Sequence, residues 1–308
     1  MELRVIVRQL RWEAAGVVSV ELVREDGGAL PEWQPGAHVE LVLPTGISRQ
    51  YSLCGSPGDR SSYRIGVRRD PRSRGGSEYV HAFLRPGQKV QLRGPRDNFG
   101  FTRAAEYLFI AGGIGITPIL PMARRAAEWG VPWQLAYGGH TADSMAFCAE
   151  LEALGPFGFH ASDRTGRLPL TELLEEPRGE VYVCGPEPLL EAVEKGTAHW
   201  PAGSLHLERF KPRPRPPRPD TPVEVVCARS ARTVQVPAER SILRALEDAG
   251  LPAEGSCREG VCGTCRTKVL EGVPDHRDDI LSEDEQARGD VLFPCVSRAL
   301  TPKLVLDV

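Results

Sequence analysis

The chain is expected to fold as three consecutive parts: an antiparallel β-barrel, a parallel sheet flanked by helices, and a small mixed α+β unit. Three observations carry this. Roughly the first hundred residues alternate apolar and polar positions in short runs, and from about Ala104 apolar strands alternate with helical stretches. Near the two-thirds point, "FKPRPRPPRPD" places five prolines in eleven residues.

The barrel strands read "RVIVRQL", "VVSVELV", "HVELVLP", "SYRIGVRR" and "KVQLRG", separated by Gly, Pro and Asp turns. The second part reads strand "YLFIAGG", helix "PILPMARRAAEWG", strand "WQLAYGG", then strand "VYVCGP" before helix "PLLEAVEKG". In its first turn, Thr117 is expected as N-cap and Pro118 at the first helical position. The proline-rich segment can form neither helix nor ladder, so it is expected to be an extended spacer and a domain boundary. Beyond it lie strands "VEVVCA" and "RTVQVP" and helix "SILRALEDAG", which Ser241 can cap and Gly250 can end. The expected divisions are residues 1–103, 104–210, a linker over 211–221, and 222–308.

Composition narrows the function classes. A net charge of -3 gives no global basic field for nucleic acid or an anionic membrane. From Thr221 onward there are 15 acidic and 11 basic residues, so the C-terminal part is the acidic one. The start "MELRVIVRQLRW" has no signal-peptide core. The longest uncharged apolar run, "YLFIAGGIGITPILPMA", is 17 residues with three Gly and two Pro, too broken for a membrane span of about 20 residues. A cytoplasmic setting is expected, in which clustered thiols bind metal or do redox chemistry more often than they form structural disulfides. No H-E-x-x-H and no Ser or Cys triad with His is recognisable.

The thiols are the strongest signal. Cys257, Cys262 and Cys265 stand in "CREGVCGTC", and a fourth, Cys295, follows in "LFPCVS". The order C-x4-C-x2-C…C is the plant-type 2Fe-2S arrangement. Gly255, Gly260 and Gly263 let the loop approach closely enough to aim N–H groups at sulfur, and Ser256 and Thr264 are further donors. Zinc or plain thiols are the alternative readings, although zinc usually takes two C-x2-C pairs and Cys295 has no such mate. "SILRALEDAGLPAEGSCREGVCGTC" resembles a plant-type ferredoxin domain, whose fold is the β-grasp. Placed last, behind a barrel and a nucleotide-binding module, it gives the whole chain a resemblance to the phthalate dioxygenase reductase family, which includes the vanillate demethylase reductases.

That resemblance carries further expectations. "RQYSLCG" is similar to the R-x-Y-S motif of the ferredoxin-reductase superfamily, which implies that Arg49 pairs with flavin phosphate, Tyr51 packs on the isoalloxazine, and Ser52 hydrogen-bonds near its hydride-accepting nitrogen. Gly75, Gly76 and Ser77 supply backbone amides for an anion nest, and Gly66, Val67 and Arg68 fall where relatives line the ribityl chain. FMN is expected, with FAD the alternative. "GGIGITP" is similar to the superfamily's GGxGxTP, which implies dinucleotide binding through Gly113, Gly115, Thr117 and Pro118. "VCGP" places Cys184, Gly185 and Pro186 beside the nicotinamide, and Phe210 corresponds to the aromatic that shields the flavin. Cys54 is ambiguous, whereas Cys148 and Cys227 read as core.

The implied activity is NADH-dependent reduction of flavin, with NADPH the alternative donor, followed by single-electron transfer through the 2Fe-2S cluster to an oxygenase of the Rieske type. A monomer is expected. A stand-alone flavin or quinone reductase and a redox-sensing binding module are the competing functions.

Overall fold

The computed structural model describes residues 2–155, 157–216 and 218–308, so Pro217 of the expected linker lies outside the described residues. The chain divides into two compact units, Met1–Glu208 and Arg209–Val308.

The first unit begins with an antiparallel sheet of β1 (Glu2–Ala14), β2 (Val17–Arg24), β3 (His38–Val42), β4 (Ser48–Ser52), β5 (Tyr63–Arg68) and β6 (Lys89–Arg96), with helix α1 (Gly76–Ala82) before β6. Strand order is β4-β3-β6-β1-β2-β5. A bridge between Leu53 and Ile65 joins the two edges, so the sheet closes into a barrel. The inward positions, among them Val5, Val7, Val20, Leu22, Val39, Leu41 and Ile65, form one apolar core. This is the period-2 pattern of the sequence converted to burial.

The second half of this unit is a parallel sheet of β7 (Tyr107–Gly112), β8 (Trp133–Gly139), β9 (Gly158–Ala161), β10 (Glu180–Cys184) and β11 (Leu205–Glu208). The helices between them are α2 (Ile116–Glu128), α3 (Cys148–Leu154), α4 (Leu170–Leu173) and α5 (Glu187–Gly196). Strand order is β11-β10-β7-β8-β9, with β7 central and every one of its residues buried. That explains the unbroken apolar run in "YLFIAG": a central parallel strand faces a core on both sides. Tyr107, Phe109 and Ala111 enter the core that α2 covers, while Leu108 and Ile110 enter the opposite core with Leu190 and Val193 of α5.

The second unit holds β12 (Val223–Cys227), β13 (Arg232–Val236), α5's successor α6 (Ile242–Asp248), β14 (Thr267–Glu271), β15 (Pro274–Asp275), α7 (Glu283–Arg288), β16 (Val291–Leu292), β17 (Arg298–Ala299) and β18 (Lys303–Leu306). Its main sheet runs β13-β12-β18-β14-β16, with β12 and β18 parallel and the other neighbours antiparallel. Helix α6 lies over it through Ile242, Ala245 and Leu246. Ser241 Oγ accepts the Arg244 N–H at 3.2 Å and Gly250 follows the helix at φ +68°, so both ends of α6 stop where side-chain chemistry directs.

The described residues of the proline-rich segment have no helix or ladder, but the segment is not free. The Arg213 N–H donates to Asp279 Oδ2 at 2.8 Å, Arg215 Nη2 to Asp279 Oδ1 at 2.6 Å, and Arg218 Nη1 to Asp275 Oδ1 at 2.9 Å. Arginines interleaved with prolines thus clip the segment along "PDHRDD". Proline suits this, because an extended chain that cannot pair its own backbone presents side chains at low entropic cost. No helix among the described residues is long and apolar enough to cross a membrane.

Candidate functional site

Three groups of candidate residues lie in the first unit. On β4, Ser52 pairs in register with His38 and Tyr51 with Val39. Arg49 Nη2 donates to Arg74 O and Nη1 to Ser48 O, both at 2.7 Å, which holds the guanidinium across the turn that starts α1. A Cβ at Gly76 would stand 2.6 Å from Arg49 Cγ, so Arg49 and the Gly75-Gly76-Ser77 turn are packed together. Gly75 is the N-cap at φ +88°, and the first-turn N–H groups of α1 have no intrahelical acceptor. A fixed cation beside the amides of a helix start suits a phosphate.

Ser77 itself is committed locally: its Oγ accepts the Asp70 N–H and donates to Ser73 Oγ, both at 3.1 Å. Ser52 is different. It is 4% exposed and its Oγ has no hydrogen-bond partner. A buried hydroxyl left unpaired costs about 1–3 kcal/mol unless a ligand satisfies it, and this is the fit test a flavin passes here. Burial pushes the Tyr51 phenol up to about 12, so its ring is neutral at any working pH. Val67 has its side chain in the barrel core and its carbonyl on His81 Nε2 at 2.9 Å, whereas Arg68 is exposed.

Gly66 joins the barrel to the α/β half. A Cβ there would meet Thr117 Cγ2 at 2.7 Å and Phe147 at 3.2 Å. The same junction is held by Glu150 of α3, which accepts from Arg64 at 2.6 and 2.8 Å and from Arg124 at 3.1 Å. Those two arginines also donate to the carbonyls of Cys54 and Gly55, each at 2.8 Å. Burial pushes the Glu150 carboxyl up, but the Arg64 hydrogen bonds and the two guanidinium charges more than offset it, and the net shift is downward. Sequence reasoning missed this clamp, because its members are separated by as many as 86 positions.

The turn after β7 departs from expectation. A 3-10 turn over Gly113–Gly115 winds directly into α2, so Gly115 is the N-cap, Thr117 lies inside the helix and Pro118 is its third residue. Thr117 Oγ1 donates to Ile114 O at 2.9 Å instead of capping. The tight turn supplies the entry geometry that a Thr cap would otherwise provide. Gly115 faces the backbone of Cys184, and Gly112 touches Gly185 and Pro186. The two glycine-bearing motifs therefore meet backbone to backbone at the carboxyl edge of β7 and β10, where open α/β sheets bind ligands.

Cys184 is fully buried, and burial, then the nearby Glu208 carboxylate, hold its thiol well above the usual range. Glu208 sits opposite Cys184 in the β10–β11 register. Its Oε2 is buried without a partner, and burial followed by the Asp97 charge pushes the carboxyl up to about 8. Glu208 is another residue that sequence reading passed over, although it is two positions before Phe210 in "LHLERF". Phe210 itself belongs to the second unit and is 40% exposed. Cys54 is buried, its thiol pushed up to about 12 by burial, and Cys227 is in an apolar core.

In the second unit the four candidate thiols form two pairs. Cys257 and Cys262 stand close enough to shift each other's titration, as do Cys265 and Cys295: the neighbouring thiol, then burial, push Cys257 and Cys295 up, and Cys257 draws Cys262 down to about 5. The Glu259 N–H donates to Cys257 Sγ at 3.4 Å. Thr264 Oγ1 lies 3.3 Å from Cys262 Sγ. Gly260 makes this possible: at φ +73° it turns the loop, and a Cβ there would strike Val296 Cγ2 at 2.7 Å. Four thiols spaced C-x4-C-x2-C…C, with an amide N–H donating to Cys257, fit the donor set of a two-iron cluster.

Comparison with known proteins agrees. Residues 225–300 match the family model of the 2Fe-2S iron-sulfur cluster binding domain. The chain is 40% identical over 319 aligned residues to the vanillate O-demethylase oxidoreductase of a Pseudomonas species, covering 99% of this chain and 100% of that one. It superposes on the crystal structure of phthalate dioxygenase reductase with TM-score 0.71 at 35% identity, covering 100% of this chain and 98% of that one. An intact type IV self-sufficient cytochrome P450 monooxygenase contains a similar region, TM-score 0.93 at 37% identity, and the chain spans only 41% of that protein's length. Matching a relative from end to end at this identity, with the same succession of modules, the chain belongs to the phthalate dioxygenase reductase family, together with the vanillate demethylase reductases.

Proposed function

We propose that this protein is the reductase component of an oxygenase system, passing electrons from a reduced pyridine nucleotide to a Rieske-type oxygenase partner. When bound, FMN supplies two-electron acceptance with one-electron release and the 2Fe-2S cluster supplies a one-electron relay. The single observation that carries the reading is the coexistence in one chain of the four-cysteine segment matched by the 2Fe-2S domain model with the unpartnered, buried Ser52 hydroxyl.

The chain's own groups have separate tasks. Arg49 and the first-turn amides at Gly75–Ser77 hold the flavin phosphate, Tyr51 covers the ring, and the Ser52 hydroxyl hydrogen-bonds it. Gly113, Gly115, Thr117 and Pro118 form the shelf on which a dinucleotide pyrophosphate lies, and Cys184, Gly185 and Pro186 wall the nicotinamide end. Glu208, protonated at neutral pH, keeps negative charge away from that end. Cys257, Cys262, Cys265 and Cys295 grip the cluster. The residue boundaries 1–103, 104–210, 211–221 and 222–308 divide these tasks. Eight unpaired cysteines suit a reducing, cytoplasmic setting.

A visible and EPR spectrum of the purified chain before and after addition of reduced pyridine nucleotide tests the reading. Bleaching of a flavin band with appearance of a reduced-cluster signal is expected. Cys262→Ser should abolish that signal and slow cytochrome c reduction at least tenfold. Undiminished cytochrome c reduction in that variant would reject delivery through the cluster.

A further inference from the structure

We infer that Asp278 is a positioning residue that sets the electron affinity of the 2Fe-2S cluster, its buried carboxylate resting against the back of the cysteine loop. The inference rests on the cluster reading of the second unit and adds to it a group outside the four thiols.

Three connections place Asp278 there. Gly260 stands between Cys257 and Cys262, and a Cβ on it would lie 2.7 Å from Val296 Cγ2, 3.2 Å from Asp278 Cα and 3.5 Å from Asp278 Cβ. Val296 is the neighbour of Cys295, so the two stretches of chain that bear the thiols meet at the residue Asp278 supports. The next residue fastens this contact, since the Asp279 N–H donates to Gly260 O at 3.0 Å. From the other direction, Arg215 Nη2 donates to Asp278 O at 2.7 Å.

The carboxylate itself is enclosed, with Asp278 only 1% exposed. Its Oδ2 accepts the Ile280 N–H at 3.2 Å and the Leu281 N–H at 2.9 Å, which fixes the side chain in a local turn. Its Oδ1 is buried with no hydrogen-bond partner, and His276 Nδ1 stands 3.8 Å away, beyond hydrogen-bond reach. The neighbouring carboxylates are neutralised by arginine: Asp275 by Arg218 and Arg277, and Asp279 by Arg215. Among the described residues no arginine or lysine pairs with the Asp278 carboxylate. Its field is therefore not cancelled by an adjacent cation, and in a partly dry interior it reaches the loop in front of it. When the cluster gains one electron from the flavin it gains one negative charge, and a fixed negative charge nearby opposes that gain. Asp278 thus holds the potential low, which favours passing the electron onward over keeping it.

Redox titration of the full chain, followed by the EPR signal of the reduced cluster, tests this. Asp278→Asn keeps the shape and an acceptor for the Leu281 N–H while removing the charge. It should raise the reduced-to-oxidised ratio of the cluster roughly tenfold at a given potential, a shift of about 59 mV for one electron. Asp278→Glu restores the charge and should stay within about threefold of wild type. Glu283→Gln, at an exposed position on α7, should change the ratio less than about twofold, because water and salt screen it. If the Asn chain does not take up iron, Asp278→Ser, which also offers an oxygen to the turn, is titrated with the same expectation. An unmoved potential in Asp278→Asn, a Glu chain shifted as far as the Asn chain, or loss of iron from both neutral variants with flavin retained overturns the inference while leaving the cluster reading standing. A wild-type chain that holds flavin but no iron overturns both.

Discussion

A Cβ added to Gly115 would stand 2.2 Å from the carbonyl oxygen of Cys184. The two residues are 69 positions apart, yet their backbones are packed so closely that only hydrogen fits between them. The glycine turn and the "VCGP" strand end are therefore one object, and the proposed nicotinamide site depends on this contact.

Gly115→Ala should accordingly separate α2 from β10. We expect a loss of about 1–3 kcal/mol in stability, as for other overpacked sites, and a tenfold or larger rise in KM for the nucleotide. Calorimetric unfolding and steady-state kinetics measure the two effects. An alanine variant with wild-type KM would show that the shelf does not need this approach.

Glu150 clamps the barrel to the α/β half through Arg64 and Arg124, with all three side chains no more than 27% exposed. Glu150→Gln should destabilise the first unit by about 1–3 kcal/mol, less than a fully buried pair would cost, since solvent still reaches it. Its folded carboxyl titrates below the ordinary 4.5, so its contribution is present above that value and is lost as pH falls through the folded value. Urea midpoints measured from pH 7 down to pH 3 should fall more steeply for wild type than for the Gln variant.

Glu208 has the opposite sign. Its carboxyl is raised from 4.5 to about 8, so the folded chain holds a proton that the unfolded chain has released, and stability declines as pH rises from about 4.5 toward 8. Glu208→Gln keeps the shape without the charge. The variant should match wild type near pH 5 and exceed it by about 1–3 kcal/mol at pH 8, a discounted fraction of the full linkage. Parallel urea curves for the two proteins across that range would contradict a raised Glu208.

Arg215 clips the proline-rich segment to Asp279 and, through the same guanidinium, to the carbonyl of Asp278 at 2.7 Å. Asp278 in turn packs its Cα against Gly260, and the Asp279 N–H donates to Gly260 O at 3.0 Å, so the clip reaches the back of the cysteine loop. Arg215→Gln should loosen the segment by about 1 kcal/mol. Hydrogen exchange of the Arg213 N–H, which donates to Asp279 Oδ2, should become several-fold faster, and added salt should accelerate wild-type exchange toward the variant's rate. Identical exchange in both proteins at low salt would show that the clip contributes nothing.

Local pattern made much of this protein legible. Period-2 alternation marked the barrel strands, the unbroken run "YLFIAG" marked a buried parallel strand, and Ser241 and Gly250 marked the ends of α6, because each of these signals depends on residues within a turn or two of one another. The 2Fe-2S domain was legible for the same reason, because its cysteine spacing is a local pattern within residues 225–300. Thr117 was misplaced because a Gly-Ile-Gly turn can enter a helix without a side-chain cap, and the choice is settled by packing against Cys184.

What the chain order alone determined is therefore the sequence of modules and the presence of the 2Fe-2S domain behind the other two. Tertiary structure alone decided the Arg64–Glu150–Arg124 clamp, the raised Glu208 carboxyl opposite Cys184, and the arginine clip over "PDHRDD". Each is a charge whose behaviour is set by which distant groups stand beside it and how much water they exclude, and Coulomb energy in a partly dry interior depends on that geometry and on nothing a linear spacing records.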